Sequence, residues 1–393
     1  MLKGSAEPGL SIRGLSITRG EQRMVHDLDL SVAPGEILGL VGESGSGKSL
    51  FLMSVLDVLP AGIRRTGSID FNGGALRRGR DIGIVFQEPM TALNPLMTIA
   101  AQVAEVLRID TRAAKQEALE EACAALARVG LGNVPSGSYP HQLSGGQRQR
   151  AMIAMAIVGK PKVLLADEPT TALDMATQAE ITTLLVDLAR DTGCALIFVS
   201  HDLPLVASLA DQLAILHCGQ IVERGPTQRL LGNLQHPYSK RLFAAALQRP
   251  ETPPDAMQDA ILDVRDLSAR YGDKVALDQV SFKVPQAGCT ALIGQSGCGK
   301  STLARALLAL QPIENGTVHV AGKPFTAPRV APSRTQRRDV QIVFQDPYSS
   351  FNPRHSVQRI LSEPYYLLNR KPDDAQLIAA LTDVGLDADA LQR

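Results

Sequence analysis

Gly42-Glu-Ser-Gly-Ser-Gly-Lys-Ser49 decides the fold of this 393-residue chain. Its glycines let successive backbone N–H groups turn inward around an anion, and Lys48 stands where it can reach the outer phosphates of a nucleotide. The hydroxyl of Ser49 can hold Mg²⁺. Ahead of it, Ile37-Leu-Gly-Leu-Val41 is an unbroken apolar run, as expected of a strand buried on both faces. Behind it, Leu50–Leu56 reads as a helix whose N-terminal dipole favours the same anion. Strand, glycine turn and helix in this order make a phosphate-binding loop. Gly42, Glu43, Ser44, Gly45, Ser46, Gly47, Lys48 and Ser49 are its nucleotide-binding candidates.

The segment recurs about 250 residues on, as Gly294-Gln-Ser-Gly-Cys-Gly-Lys-Ser301. Upstream, Leu28, Leu30 and Val32 match Val280, Phe282 and Val284; downstream, Ile84-Val-Phe-Gln-Glu-Pro89 matches Ile342-Val-Phe-Gln-Asp-Pro347. A period of about 250 residues is the size of a domain and too long for a solenoid repeat. The chain reads as a tandem duplication. Gly294, Gln295, Ser296, Gly297, Cys298, Gly299, Lys300 and Ser301 form the second candidate loop, with Ser301 as a second Mg²⁺ ligand. Between the copies, the prolines of Arg249-Pro-Glu-Thr-Pro-Pro-Asp255 cannot sit inside a helix. The expected boundaries are a first domain over 1–248, a linker over 249–260 and a second domain over 261–393. If the repeat spacing persists, the stretch matching Leu143–Gln147 would fall just past Arg393. The sequence then reads either as a fragment of a longer protein or as a shortened chain that must pair with another molecule.

Composition narrows the class. With 45% hydrophobic residues but only 4% aromatics and no Trp, the cores must be aliphatic. Lys and Arg number 40, as do Asp and Glu; the zero net charge argues against a broad nucleic-acid footprint. The longest apolar run, Ala151–Val158, is far short of the roughly 18 residues of a membrane-spanning helix. The 5 cysteines are scattered without a CxxC, which points to a reducing compartment rather than to disulfides or zinc.

Within the first copy, apolar runs alternate with amphipathic ones. Val163–Ala166 and Cys194–Val199 read as buried strands, Arg112–Val129 and Gln178–Arg190 as helices, a pattern that implies a mostly parallel α/β core. Leu10–Ile17 and Leu28–Val32 look instead like strands of an antiparallel subdomain. Asp167 and Glu168 close the run that begins at Val163. An aspartate at a strand end beside a phosphate loop can hold Mg²⁺, and the next acid can act as general base on the attacking water. Solvated acids capping a strand would be the bland reading; the preceding loop turns the pair into a site.

Leu143-Ser-Gly-Gly-Gln147 resembles the signature motif of the ATP-binding cassette ATPases. Gln87 resembles that family's Q-loop glutamine, Ala172-Leu-Asp174 its D-loop, and His201 its switch histidine. The resemblance implies a P-loop NTPase fold: a mostly parallel sheet core, an N-terminal antiparallel β subdomain and a helical signature subdomain. It also implies that two cassettes pack head to tail, each ATP lying between one loop and the partner's signature. Ser144, Gly145, Gly146 and Gln147 would then contact ATP across that interface, Gln87 would contribute to Mg²⁺ and catalysis, and His201 would sense the γ-phosphate. Ser144 is equally a good helix N-cap. Tyr271 stands where the family stacks an aromatic on adenine, whereas the first copy has Arg19 there. The second copy carries Gln345 but no signature, acidic pair or histidine.

Gln87–Pro95, Gln345–Pro353 and His236-Pro-Tyr-Ser239 resemble segments of the family's peptide and nickel importer branch. That likeness implies an ATP-hydrolysing subunit on the cytoplasmic face of a bacterial inner membrane. It would be held peripherally by two membrane-spanning permease subunits and served by a periplasmic solute-binding protein, with no nucleic-acid partner. Glu88–Val106 would receive the permeases' coupling helices. Some branch members carry a C-terminal cysteine cluster; the first copy has no cysteine after Cys218, so no iron–sulfur centre is expected. Two first cassettes from separate molecules could also pair as a homodimer. The alternative reading is a degenerate double cassette that binds ATP as a regulatory or scaffolding protein.

Overall fold

The computed structural model describes residues 9–77, 79–111, 114–171, 173–246, 260–295, 297–345 and 350–393. Ala172, Ser296, Asp346–Ser349 and all of the expected linker except residue 260 lie outside them. The chain divides into two compact units, Met1–Arg249 and Pro250–Arg393.

The first unit opens with the antiparallel hairpin β1 (Leu10–Arg19) and β2 (Gln22–Val32), followed by β3 (Ile37–Val41), α1 (Lys48–Leu56), β4 (Ile63–Phe71), β5 (Gly74–Ala75) and β6 (Ile82–Val85). Helices α2 (Pro89–Ala92), α3 (Ile99–Thr111), α4 (Lys115–Arg128) and α5 (Gly145–Ile157) lead to β7 (Val163–Asp167). Then come α6 (Met175–Thr192), β8 (Ala195–Ser200), α7 (Leu203–Leu209), β9 (Gln212–His217), β10 (Gln220–Pro226), α8 (Thr227–Gly232) and α9 (Pro237–Ala246).

Two sheets result. One is antiparallel, ordered β2-β1-β4-β5; the other runs β10-β9-β3-β8-β7-β6 and is parallel except for β10. The apolar runs explain the second sheet. Alternate residues of its strands enter different cores: Leu164, Leu196, Phe198 and Leu213 face the helices, whereas Leu38, Leu40, Leu165 and Ile197 face the antiparallel sheet and α1. A sheet covered on both faces needs apolar residues at every position, which is why these strands do not alternate in sequence. The β3 strand sits inside the sheet, between β8 and β9, so the loop that follows it emerges from the middle of the sheet.

Caps set the helix starts. The side chain of Asp174 accepts from Thr177 N–H at 3.2 Å, so α6 begins three residues ahead of the expected Gln178. Ser144 and Gln147 form a reciprocal capping box at α5.

The second unit has an antiparallel sheet, β12-β11-β13-β14, built from β11 (Ala260–Tyr271), β12 (Lys274–Pro285), β13 (Asn315–Val320) and β14 (Lys323–Thr326). Helix α10 (Lys300–Leu307) lies over it through Leu303 and Ala306. The apolar stretch before the second loop pairs with no strand, and Ile293 is 82% exposed. In the first unit the equivalent stretch is clamped between β8 and β9.

Candidate functional site

The end of β3 sets the first loop. A Cβ on Gly42 would lie 2.2 Å from the carbonyl oxygen of Leu216 on β9, so only glycine lets the chain leave the sheet there. Gly45 and Gly47 adopt φ of 81° and 105°, the left-handed region open to glycine. Lys48, at the start of α1, folds back over the loop, its Nζ donating to the carbonyls of Gly42 at 2.7 Å and Glu43 at 2.8 Å. Burial lowers its pKa from the ordinary lysine value, while Glu168, Asp167 and Glu43 act the other way. The hydroxyl of Ser46 is buried under the loop without a partner.

The acidic pair closes the next strand but one. Burial, followed by the charge of Glu168, pushes the Asp167 carboxyl above its ordinary value; a hydrogen bond from Ser49 and the charge of Lys48 only partly offset this. Glu168 Oε2 takes a hydrogen bond from Thr171 Oγ1 at 3.0 Å, lies 3.4 Å from Gln87 Nε2 and 3.1 Å from His201 Nδ1. Gln87 follows β6, Glu168 follows β7 and His201 follows β8, so three neighbouring parallel strands deliver three side chains to one point. Together with the loop they line a cavity of about 800 Å³.

Ser49, Asp167 and Gln87 offer hard oxygen donors and no sulfur or imidazole, which suits Mg²⁺. Two adjacent carboxylates facing one buried ammonium leave excess negative charge that a divalent cation would neutralise. Among the described residues no group of three or more His, Cys, Asp or Glu could hold a metal by itself.

Not every candidate lies in this cavity. Ser144–Gln147 at the start of α5 do not line it. Arg19 and Tyr271 occupy equivalent hairpin ends, paired with Gln22 and Lys274 respectively, and Tyr271 is 46% exposed. At the second loop Gly297 and Gly299 repeat the first loop's conformation with φ of 81° and 101°. There Lys300 Nζ donates to Gly294 O at 2.5 Å and Gln295 O at 2.7 Å, with Cys298 Sγ at 3.7 Å. Ser301 and Gln345 are exposed, and among the described residues no acidic pair accompanies them. Sequence reasoning missed Met24, Leu50, Thr171, Leu203 and Leu242, which complete the first cavity's wall. Leu50, Thr171, Leu203 and Leu242 lie close in sequence to the loop, the Ala172-Leu-Asp174 motif, His201 and the His236–Ser239 segment, whereas no motif pointed to Met24.

A buried strand, a glycine loop, a lysine over the loop and an acidic pair on a nearby parallel strand define a P-loop nucleoside triphosphatase. The profile of the ABC transporter family matches residues 25–171 and 277–393. The peptidoglycan transport ATP-binding protein YejF of Agrobacterium fabrum is 36% identical, over 98% of this chain and 77% of its own. The glutathione import ATP-binding protein GsiA of Escherichia coli strain K12 is 35% identical, over 96% of this chain and 71% of its own. CbiO1 of Clostridium perfringens, part of the ABC transporter complex CbiONQ, has a similar structure with TM-score 0.51, 25% identity, and coverage of 62% of this chain and 96% of that one. The chain is an ATPase of the ABC transporter family.

Proposed function

We propose that this chain energises a bacterial importer of peptides or a related small solute by hydrolysing ATP in the cavity between Gly42–Ser49 and the Glu168 cluster. The convergence of Gln87, Thr171 and His201 on Glu168 Oε2, beside the loop lysine, carries the reading. The similarity to YejF and GsiA, named as peptidoglycan transport and glutathione import ATP-binding proteins, supports a peptide-like solute.

In this reading Lys48 leaves the Gly42 and Glu43 carbonyls for the β- and γ-phosphate oxygens. Ser49, Asp167 and Gln87 would hold Mg²⁺, which would supply positive charge to offset that of the phosphates. Glu168 accepts the proton of the attacking water as its oxygen bonds to the γ-phosphorus and the bond to the leaving diphosphate breaks. His201 holds Glu168 and the γ-phosphate in register. The second loop, Gly294 to Ser301, forms a second phosphate cradle served by Gln345, with Tyr271 stacking on adenine.

The duplicated loops, the two compact units and the two stretches matched by the family profile support a tandem arrangement: one cassette over 1–248, a linker over 249–260, and a second over 261–393. Ser144, Gly145, Gly146 and Gln147 lie outside their own unit's cavity, in keeping with contacts to a nucleotide on a partner cassette. That partner is the first cassette of another molecule in a homodimer. Two permease subunits anchor the chain peripherally at the cytoplasmic face of the inner membrane, and a periplasmic solute-binding protein supplies the solute. Among the described residues no helix is long and apolar enough to cross a membrane.

Equilibrium titration and turnover test the reading. The chain should bind ATP, Lys48→Ala should weaken that binding more than tenfold, and permease subunits should stimulate turnover. ATP affinity unchanged in Lys48→Ala would remove the loop from the site. Nucleotide binding with turnover indifferent to permeases would favour the regulatory alternative.

A further inference from the structure

We propose that Tyr238 positions the first phosphate loop and thereby sets how tightly the chain holds ATP, an inference that rests on the nucleotide reading of that loop. Its Oη accepts a hydrogen bond of 2.9 Å from the backbone N–H of Glu43. That N–H belongs to the Gly42–Glu43 peptide, whose carbonyl oxygen, on Gly42, takes the 2.7 Å hydrogen bond from Lys48 Nζ. One peptide unit is therefore held at both ends, by the tyrosine on one side and by the loop lysine on the other.

Tyr238 is itself fixed. It is 2% exposed, and its ring stacks on His217 with centroids 3.8 Å apart. Its own N–H donates to His236 Nδ1 at 3.2 Å. Glu223, on β10, accepts from the N–H of Gln235 at 2.6 Å and ties down the start of α9. Burial raises the Glu223 carboxyl, but hydrogen bonds from Ser239 and from the Gln235 and His236 backbone outweigh it and hold the group below its ordinary value. A second tie reaches the loop from the same region: Gly219, in the turn after His217, donates its N–H to Ser46 O at 3.0 Å. The β9–β10 turn and the first turn of α9 thus brace the loop from behind at two points, Glu43 and Ser46. The His236–Ser239 segment acquires a physical role here that its sequence did not state.

The brace matters because the loop binds through its shape. With the phenol oxygen removed, the Glu43 N–H loses its acceptor, and rotation of the Gly42–Glu43 peptide is the direct way to find another. That rotation takes the Gly42 carbonyl away from Lys48 and distorts the cradle. Gln87, Glu168 and His201 are untouched, so the effect falls on ATP affinity and not on proton transfer. Tyr238 is a positioning residue.

Tyr238→Phe keeps the ring on His217 and deletes only the acceptor. In the full chain the Kd for ATP should rise about two- to tenfold, the range one lost hydrogen bond produces. Single-turnover hydrolysis at saturating ATP should stay within about twofold of wild type, because the residues around Glu168 keep their places. Amide hydrogen exchange should quicken in the segment containing Glu43 and stay unchanged in α1. An unchanged Kd in a wild-type background that binds ATP overturns the proposal alone, whatever exchange does. An equal loss of saturated rate also overturns it, since that marks general disruption. Failure of wild type to bind ATP any better than Lys48→Ala overturns the nucleotide reading of the loop, and this inference with it.

Discussion

His201 Nδ1 lies 3.1 Å from Glu168 Oε2, the same oxygen that accepts the Thr171 hydroxyl at 3.0 Å. Glu168 reaches this position with φ of 45°, a left-handed conformation that costs a non-glycine residue about 1–2 kcal/mol. Its N–H donates to Val199 O at 2.9 Å, so the neighbouring strand holds the strained residue in place. The turn aims the carboxylate back over the loop instead of letting it continue β7 toward solvent.

Replacing that carboxylate isolates its role. Glu168→Gln should retain ATP affinity and lose about 10²–10⁴-fold in hydrolysis, the usual range for a missing general base. Single-turnover measurement decides the matter. Near-wild-type turnover would take Glu168 out of proton transfer and leave its contacts with Thr171 and His201 as architecture.

Met90 and Leu96 are 59% and 84% exposed, on and just after α2, and neither lines the nucleotide cavity. Charged substitutions across Met90–Leu96 should uncouple ATP hydrolysis from transport while leaving nucleotide affinity unchanged. A weakened Kd for ATP in the soluble variants would place the segment in the nucleotide site instead of at the permease contact.

Asp81, 4% exposed, anchors the approach to β6 and β7 through Arg77 at 3.3 Å and Lys162 at 3.5 Å. Burial raises its carboxyl, but the hydrogen bonds of Arg77 and the Lys162 charge more than offset this and hold it below the ordinary value. A depressed folded-state pKa stabilises the fold above the unfolded value of about 4, and that contribution is lost as pH falls through the folded-state value. Asp81→Asn should therefore lower the urea midpoint at neutral pH, and the gap to wild type should close in acid. A gap independent of pH would mean that the charge contributes nothing.

The cysteines differ in reactivity for physical reasons. Burial pushes the Cys194 thiol up to about 12, so it should resist iodoacetamide until the chain unfolds. Cys298 is exposed, with Lys300 Nζ 3.7 Å from its sulfur, and should be alkylated in the native chain. ATP should protect it if the second loop binds phosphate. Labelling of Cys298 unaffected by saturating ATP would leave the second cradle without a ligand.

Glu43 and Tyr238 stand 195 residues apart in sequence, and their contact marks where legibility ended. The phosphate loop could be read because its chemistry is local: eight consecutive residues supply the turn, the lysine and the hydroxyl, and the apolar runs around it needed only a sheet covered on both faces. Asp167, Glu168 and His201 were legible in the same way, as acids and a histidine at the ends of apolar strands. The sequence by itself thus determined the alternation of strands and helices, the recurrence of the loop motif and which side chains were candidates for the site. Only the tertiary structure decided that Gln87, Thr171 and His201 share one oxygen of Glu168, that Arg19 and Tyr271 lie at equivalent hairpin ends, and that Tyr238 grips the loop. Such contacts depend on the order in which β6, β7, β8, β3 and β9 pack, and strand order is set by how the whole core is covered, which no single segment encodes.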